Sequence, residues 1–282
     1  DSDTVAAPTH IGGLEIYRLP AGAGKDFIQK LYAYLRKAPV RAEPFNYKLE
    51  TVRPEQVRGQ SFLGRLGSGT LRGGKPRPFR AWIKLDKVNV DEQIYLHALP
   101  RPGGQRELGE LVARLHVNRL DRSRPLWEMH LIEGLEGGRY AVYTKLHHSQ
   151  FDGKRGVELT QYARSTDPAE RGLPPVWAVD LNAVRARAAK SPTRKKKTPA
   201  PSTLQTLASW GTALQKAGEL SVGKPEGGKI APYSAPASIL NGVLTARRRL
   251  GTVSLSTERM KAIGAAVPGG ATVNEVLLAV CG

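Results

Sequence analysis

A single cysteine, Cys281, stands among 282 residues. That excludes an intramolecular disulfide framework and every zinc module built on cysteines, and makes a reducing, cytoplasmic setting the default expectation. No run approaches the roughly 18 uninterrupted apolar residues of a membrane-spanning helix. Aromatic residues amount to 6%, too few for an extended base-stacking surface. Acidic residues are also scarce. Against 25 Asp and Glu stand 43 Lys and Arg, leaving a net charge of +18. A field of that sign attracts polyanions: nucleic acid, anionic lipid head groups or phosphorylated small molecules. Composition does not choose among them. The remainder is ordinary for a folded protein, with 40% hydrophobic and 24% charged residues. The length suits one large domain or two smaller ones.

Hydrophobic spacing predicts strands over 11–19, 79–85, 126–133, 139–147 and 251–255. Gly134, Gly137 and Gly138 between the third and fourth of these point to an antiparallel hairpin. Helices are predicted over 26–37, where Phe27, Leu31, Tyr34 and Leu35 form a stripe, and over 106–119, 154–164 and 256–266. Thr272 and Glu275 have capping-box spacing before the apolar run Val276–Val280. The Gly-, Arg- and Pro-rich stretch 60–78 reads as loop. From Arg185 to Lys229, ten Lys and Arg oppose two acids amid Pro, Ser, Ala and Gly, which predicts a basic connection with one helix-like piece near 203–220. Helices and strands interleave without a strict βαβ rhythm, so the sheet is expected to be mixed.

The chemistry concentrates in Lys145–Gly153, KLHHSQFDG. Neighbouring side chains on a strand point to opposite faces, so His147 and His148 cannot both serve one site while the strand stays regular. One is structural and the other can enter a cleft. Asp152-Gly153 forms a turn able to fold the acid back towards the strand end. Imidazole is the side chain whose ordinary pKa suits a base near neutral pH. The same strand geometry argues against zinc on His147, His148 and Asp152, and no metal site is expected. Ser149 lacks a nucleophile elbow around it.

His147-His148-Ser149-Gln150-Phe151-Asp152-Gly153 matches the HHxxxDG signature of CoA-dependent acyltransferases. Other segments narrow the match, in order along the chain: His10-Ile11-Gly12-Gly13-Leu14, Leu99–Gly104, Leu120–Glu128, His130–Leu135, Asn241-Gly242 with Arg247–Arg249, and Thr272–Ala279. Taken together, the chain resembles the bacterial wax ester synthase/diacylglycerol acyltransferase family across nearly its whole length. The resemblance implies an α/β, chloramphenicol-acetyltransferase-like fold: a mixed sheet flanked by helices, with the active site between two halves. It divides the sequence into an N-terminal acyltransferase domain (1–180), a basic connection (181–232) and the start of a second domain (233–282). Family members are longer, so the second half that completes the channel is expected to be missing and this chain alone to be inactive.

The implied activity is transfer of a fatty acyl group from acyl-CoA to a long-chain alcohol or to diacylglycerol, with no cofactor beyond the CoA donor and no nucleic acid partner. His148 would be the general base, His147 and Asp152 supports that hold its loop, Gly153 part of the turn, and Asn274 a donor to the oxyanion or a nearby support. Glu275 stands where the family usually has Asp, and a capping role is the simpler one. The basic 185–229 segment suits an anionic membrane or lipid-inclusion surface. Two alternatives remain: a basic nucleic-acid-binding protein, and another HHxxxDG acyltransferase with a different acceptor.

Overall fold

The computed structural model describes residues 3–4, 7–53, 78–151, 153–167, 169–181, 184, 242 and 245–281. In chain order the elements are β1 (His10–Arg18), α1 (Phe27–Lys37), β2 (Tyr47–Val52), β3 (Phe79–Lys84), β4 (Ile94–Ala98), α2 (Gln105–Val117), β5 (Trp127–Leu135), β6 (Arg139–His147), α3 (Gly153–Tyr162), α4 (Thr257–Ala266) and α5 (Val273–Cys281). Four strands form the main sheet in the order β1-β6-β5-β4, and β2 and β3 form a separate antiparallel ribbon. The sheet is mixed, as expected: β1–β6 and β5–β6 run antiparallel, β4–β5 parallel. The predicted β5–β6 hairpin is present, and Gly137 and Gly138 both take positive φ (69° and 64°) at its turn.

Each sheet face carries its own core. On one side α1, α3 and the turn Val176–Ala178 cover Trp127, Met129, Phe45, Phe151, Leu159 and Trp177. Trp177 stacks on Trp127 at 5.3 Å between ring centroids, and Trp127 Nε1 donates to Phe45 O at 2.9 Å. On the other side α2 lays Leu108, Leu111, Val112 and Leu115 on Leu99, Ile132, Leu135, Ala141 and Tyr143. These α2 positions follow helical spacing, which is why the stripe was visible beforehand. Gly12 has a steric role here, because a Cβ there would lie 2.5 Å from Tyr143 Oη.

Further along, α4 is capped by Ser256, whose Oγ accepts from Arg259 N at 3.2 Å, and α5 packs on α4. Thr272 and Glu275 form the predicted reciprocal cap: Glu275 N donates to Thr272 Oγ1 at 3.3 Å, and Thr272 N donates to Glu275 Oε2 at 2.6 Å. One expectation fails. Residues 251–255 are not in a strand, and no strand pairs with them among the described residues. Extended propensity without a partner does not make a ladder. Two strands were missed: β2, YKLETV, whose alternation of Tyr47 and Leu49 with Lys48 and Glu50 is short, and β4, IYLHA, which opens on three apolar residues and has no alternation. The connection 185–232, the helix-like piece 203–220, the loop 60–77 and Asn241 lie outside the described residues.

Candidate active site

The two histidines sit where β6 ends. His147 is the last strand residue, pairing with His10 across the β1–β6 ladder. One further backbone bond, His148 N to Thr9 O at 3.0 Å, extends that pairing past the strand. The two-residue period then separates the side chains. His147 shares a face with Lys145 and Tyr143, towards α2. His148 falls by parity on the side of Leu146, Thr144 and Val142, towards α1 and α3, and is exposed.

His147 is locked in place. Its side chain is 12% exposed. Ser149 N–H points at Nδ1 (3.3 Å), and Ser149 Oγ lies 2.7 Å from the same atom. Nδ1 therefore accepts, and Nε2 carries the proton that it donates to Thr9 Oγ1 at 2.9 Å. Asp3 stands behind, its Oδ2 3.8 Å from Nε2. Desolvation pulls the His147 pKa below the usual imidazole value, opposed by the Asp3 charge and reinforced by Arg122. The neutral ring then matches the hydrogen bonds it makes.

Asp3 itself is held from three directions. Thr9 N donates to Oδ1 at 3.0 Å and Arg122 Nη2 to Oδ2 at 2.8 Å, while Arg119 Nη1 caps the Asp3 carbonyl at 2.7 Å. Burial pushes its carboxyl up, but the Thr9 and Arg122 bonds and the nearby charges more than offset this and leave it low. Arg122 lies in the Leu120–Glu128 block that carries the family resemblance, but its link to the histidine was not foreseen. Asp3, 119 positions from Arg122, has no local signal that marks it.

Beneath His147, on the same face, lies a buried ionic group. Lys145 occupies an inward position on β6 and is 1% exposed. Its Nζ donates to Leu115 O (2.9 Å) and Asn118 O (2.6 Å), carbonyls at the end of α2 that have no intrahelical partner, and lies 3.3 Å from Glu128 Oε2. Burial lowers the Lys145 pKa, opposed by Glu128. Glu128 is raised by burial and more strongly lowered by His130 and Lys145, so it stays ionised. The neighbouring ring chain runs from His97 Nε2 to His130 Nδ1 at 3.1 Å, and His116 Nδ1 meets Tyr143 Oη at 2.6 Å. His10 Nε2 donates to His116 O at 2.7 Å. Desolvation lowers the His10 pKa to about 4, despite that bond.

The other face is apolar and open. Between the sheet and α1 and α3 is a cavity of about 690 Å³, walled by Leu31, Leu35, Phe45, Met129, Val142, Leu146 and Phe151 among others. Leu146 and Phe151 flank the His147–Gln150 segment in sequence. A second, smaller space of about 220 Å³ touches Ser149 and Gln150 against Tyr47 and Trp82 of the β2–β3 ribbon.

Of the remaining predicted residues, Gly153 opens α3 and Asp152 lies outside the described residues. Asn274 is exposed on α5, and no hydrogen bond joins it to His147 or His148. Among the described residues no group of three or more His, Cys, Asp or Glu is arranged to hold a metal ion. No helix of the described residues is long and apolar enough to cross a membrane.

Residues 74–277 match the family model of the wax ester synthase/diacylglycerol acyltransferase catalytic domain. The chain belongs to this family. A probable diacylglycerol O-acyltransferase of Mycobacterium tuberculosis is 32% identical over 285 residues, covering 97% of this chain and 54% of the relative. The O-acyltransferase WSD of Acinetobacter baylyi is 30% identical over 279 residues, again covering 97% and 54%. Among solved structures, the wax ester synthase/diacylglycerol acyltransferase from Marinobacter aquaeolei VT8 superposes with a TM-score of 0.63 at 28% identity, over 99% of this chain and 55% of that one. The chain thus spans about half the length of the acyltransferases it matches. Its mixed sheet flanked by helices is the fold of the wax ester synthase/diacylglycerol acyltransferase family.

Proposed function

We propose that this chain carries the histidine-bearing half of an acyl-CoA-dependent O-acyltransferase, acting on a long-chain alcohol or diacylglycerol. The observation that carries the reading is the division of labour at the end of β6. His147 is fixed by Thr9, Ser149 and Asp3, while His148 is exposed and falls by parity on the sheet side that holds the largely apolar 690 Å³ cavity, whose wall reaches its neighbour Leu146. Family membership supplies the reaction class.

In the proposed reaction His148 takes the hydroxyl proton of the acceptor as its oxygen attacks the thioester carbonyl carbon. The tetrahedral intermediate collapses by breaking the carbon–sulfur bond, and the imidazolium returns its proton to the CoA thiolate. The ester and free CoA leave, and no acyl-enzyme forms. A general base of this kind contributes roughly 10²–10⁴-fold. This reading assigns Asp152 and Gly153 as supports of the loop that carries His148, and Asn274 as a donor or support for the oxyanion. No cofactor takes part beyond the CoA of the donor. The apolar cavity takes the acyl or alkyl chain, since burying methylenes there releases water at about 0.8 kcal/mol each. A charge of +18 suits peripheral contact with an anionic membrane or lipid inclusion, and this reading places the protein on the cytoplasmic side.

The test is acyl transfer from a long-chain acyl-CoA to hexadecanol and to diacylglycerol, comparing the natural protein with His148→Ala. Loss of about 10²–10⁴-fold in kcat with unchanged folding is expected. Near-normal ester synthesis by a folded variant would remove His148 as the base. Retention of activity towards amines only would replace the acceptor class.

A further inference from the structure

Helix α2 has a second face that the core does not use. Leu108, Leu111, Val112 and Leu115 meet the sheet. Arg106, Glu110, Ala113 and Val117 follow one another at three- and four-residue steps along the outer side, with Arg114 four residues after Glu110. Against this outer side lies the segment Arg247-Arg248-Arg249-Leu250, and the two enclose a cavity of about 800 Å³. That is within the size range of small-molecule sites. The close approach depends on Gly109, where a Cβ would lie 3.3 Å from Leu250 O.

The lining combines apolar and cationic surface. Ala113, Val117 and Leu250 supply the apolar part, and five arginines supply the charge. The single acid in the wall, Glu110, is engaged with Arg106 at 3.1 Å. Arg248 donates to Thr245 O and Arg247 O, which holds the bend of its own segment. Arg114, Arg247 and Arg249 have no ion-pair partner among the described residues. Like charges gathered at a concave surface repel one another and focus the field on an incoming anion. Guanidinium groups match phosphate oxygens through paired N–H donors. Apolar surface among such arginines is not what a solvated basic stripe for a nucleic acid backbone needs.

We propose that this groove binds the phosphate end of a dissolved phosphorylated amphiphile. A diphosphate or phosphate monoester is held by Arg114, Arg247 and Arg249, with an adjoining apolar or aromatic portion on Ala113, Val117 and Leu250. The phosphates come from a nucleotide such as coenzyme A or from a phosphatidic acid. Naming coenzyme A rests on the acyltransferase reading above; the groove itself does not.

Calorimetric titration of this chain with coenzyme A, with inorganic diphosphate and with a short-chain phosphatidic acid below its micelle concentration separates the sources. Binding by coenzyme A and diphosphate assigns a nucleotide, and binding by phosphatidic acid and diphosphate assigns a lipid. In either case the Arg114→Ala/Arg249→Ala variant should bind at least about tenfold more weakly, with Arg114→Lys in between. As a second measurement that needs no variant, the bound ligand should protect Arg114 and Arg249 from an arginine-selective dicarbonyl reagent. Absence of binding by all three probes, binding unchanged by the double substitution, or modification unaffected by ligand would overturn the proposal. Acyl transfer measured in parallel keeps the two readings apart. Phosphate binding without transfer leaves the groove standing and counts against the enzyme. Transfer without phosphate binding at these arginines does the reverse.

Discussion

The two faces of the β1-β6-β5-β4 sheet are built on opposite principles. Towards α1 and α3 the contacts are aromatic and aliphatic: Phe45, Trp127, Phe151 and Trp177, with a cavity left open beside Met129, Val142 and Leu146. Towards α2 the same strands present His10, Tyr143, Lys145, His147, Glu128 and His130. The alternation of one strand, β6, supplies both sets. The apolar face leaves space, because nonpolar packing is undirected and tolerates an unfilled volume. On the other face most buried donors and acceptors meet a partner at a defined angle, although His130 Nε2 has no hydrogen bond. Those directed bonds make it the rigid face, and it holds His147 while His148 belongs by parity to the open one.

The sharpest way to break this contrast is to remove one charge from the rigid face. Lys145→Met leaves Glu128 buried and the Leu115 and Asn118 carbonyls unpaired. A loss of about 3–5 kcal/mol in denaturant unfolding is expected. Lys145→Met combined with Glu128→Leu should recover a large part of it, since the remaining charge is gone. If the single substitution cost less than about 1 kcal/mol, the pair would not be what holds α2 to the strand.

Acid should act on the same face and spare the other. His10 has a pKa near 4 in the folded chain, depressed by desolvation, and about 6.5 when unfolded. Between those values the unfolded chain binds more protons, so stability falls as the pH drops from 6.5 towards 4 and is unaffected by this residue above 6.5. The span corresponds to a contribution on the order of 3 kcal/mol. His97, His116 and His147 are lowered by desolvation too and add to the same trend. His10→Gln should flatten the slope in that window. An unchanged slope would mean that His10 is solvated when folded.

Much of this architecture was legible beforehand, for a physical reason. Wherever a segment buries one face, its sequence shows the period: Leu108, Leu111, Val112 and Leu115 marked α2, and Trp127–Glu133 and Arg139–His147 marked the hairpin. The HHxxxDG segment marked the strand end, and alternation said that the two rings must part. What stayed hidden depends on distant pairs. Asp3 supports His147 from 144 positions away, and α2 carbonyls hold Lys145. Strands β2 and β4 were missed because neither has one wet and one dry side. The strand expected at 251–255 failed because a ladder is a property of two segments. The arginine groove escaped for the same reason: the run Arg247–Arg249 was visible, but α2 as its opposite wall was not.

On the apolar face a comparable deletion should cost less. Trp127→Phe keeps an aromatic ring against Phe45 and Trp177 but loses the Nε1 donor to Phe45 O. About 1–3 kcal/mol is expected, part from the unpaired carbonyl and part from lost volume. The smallest effect should come from Ser149→Ala at the junction of the two faces. The Ser149 backbone N–H still points at His147 Nδ1, so the tautomer is kept, and only the hydroxyl contact is lost. About 0.5–1.5 kcal/mol of stability is expected to go. Nitrogen NMR of the His147 ring should still report a proton on Nε2. A switch of that proton to Nδ1 would show that the serine hydroxyl, and not the backbone of the turn, orients the ring beside His148.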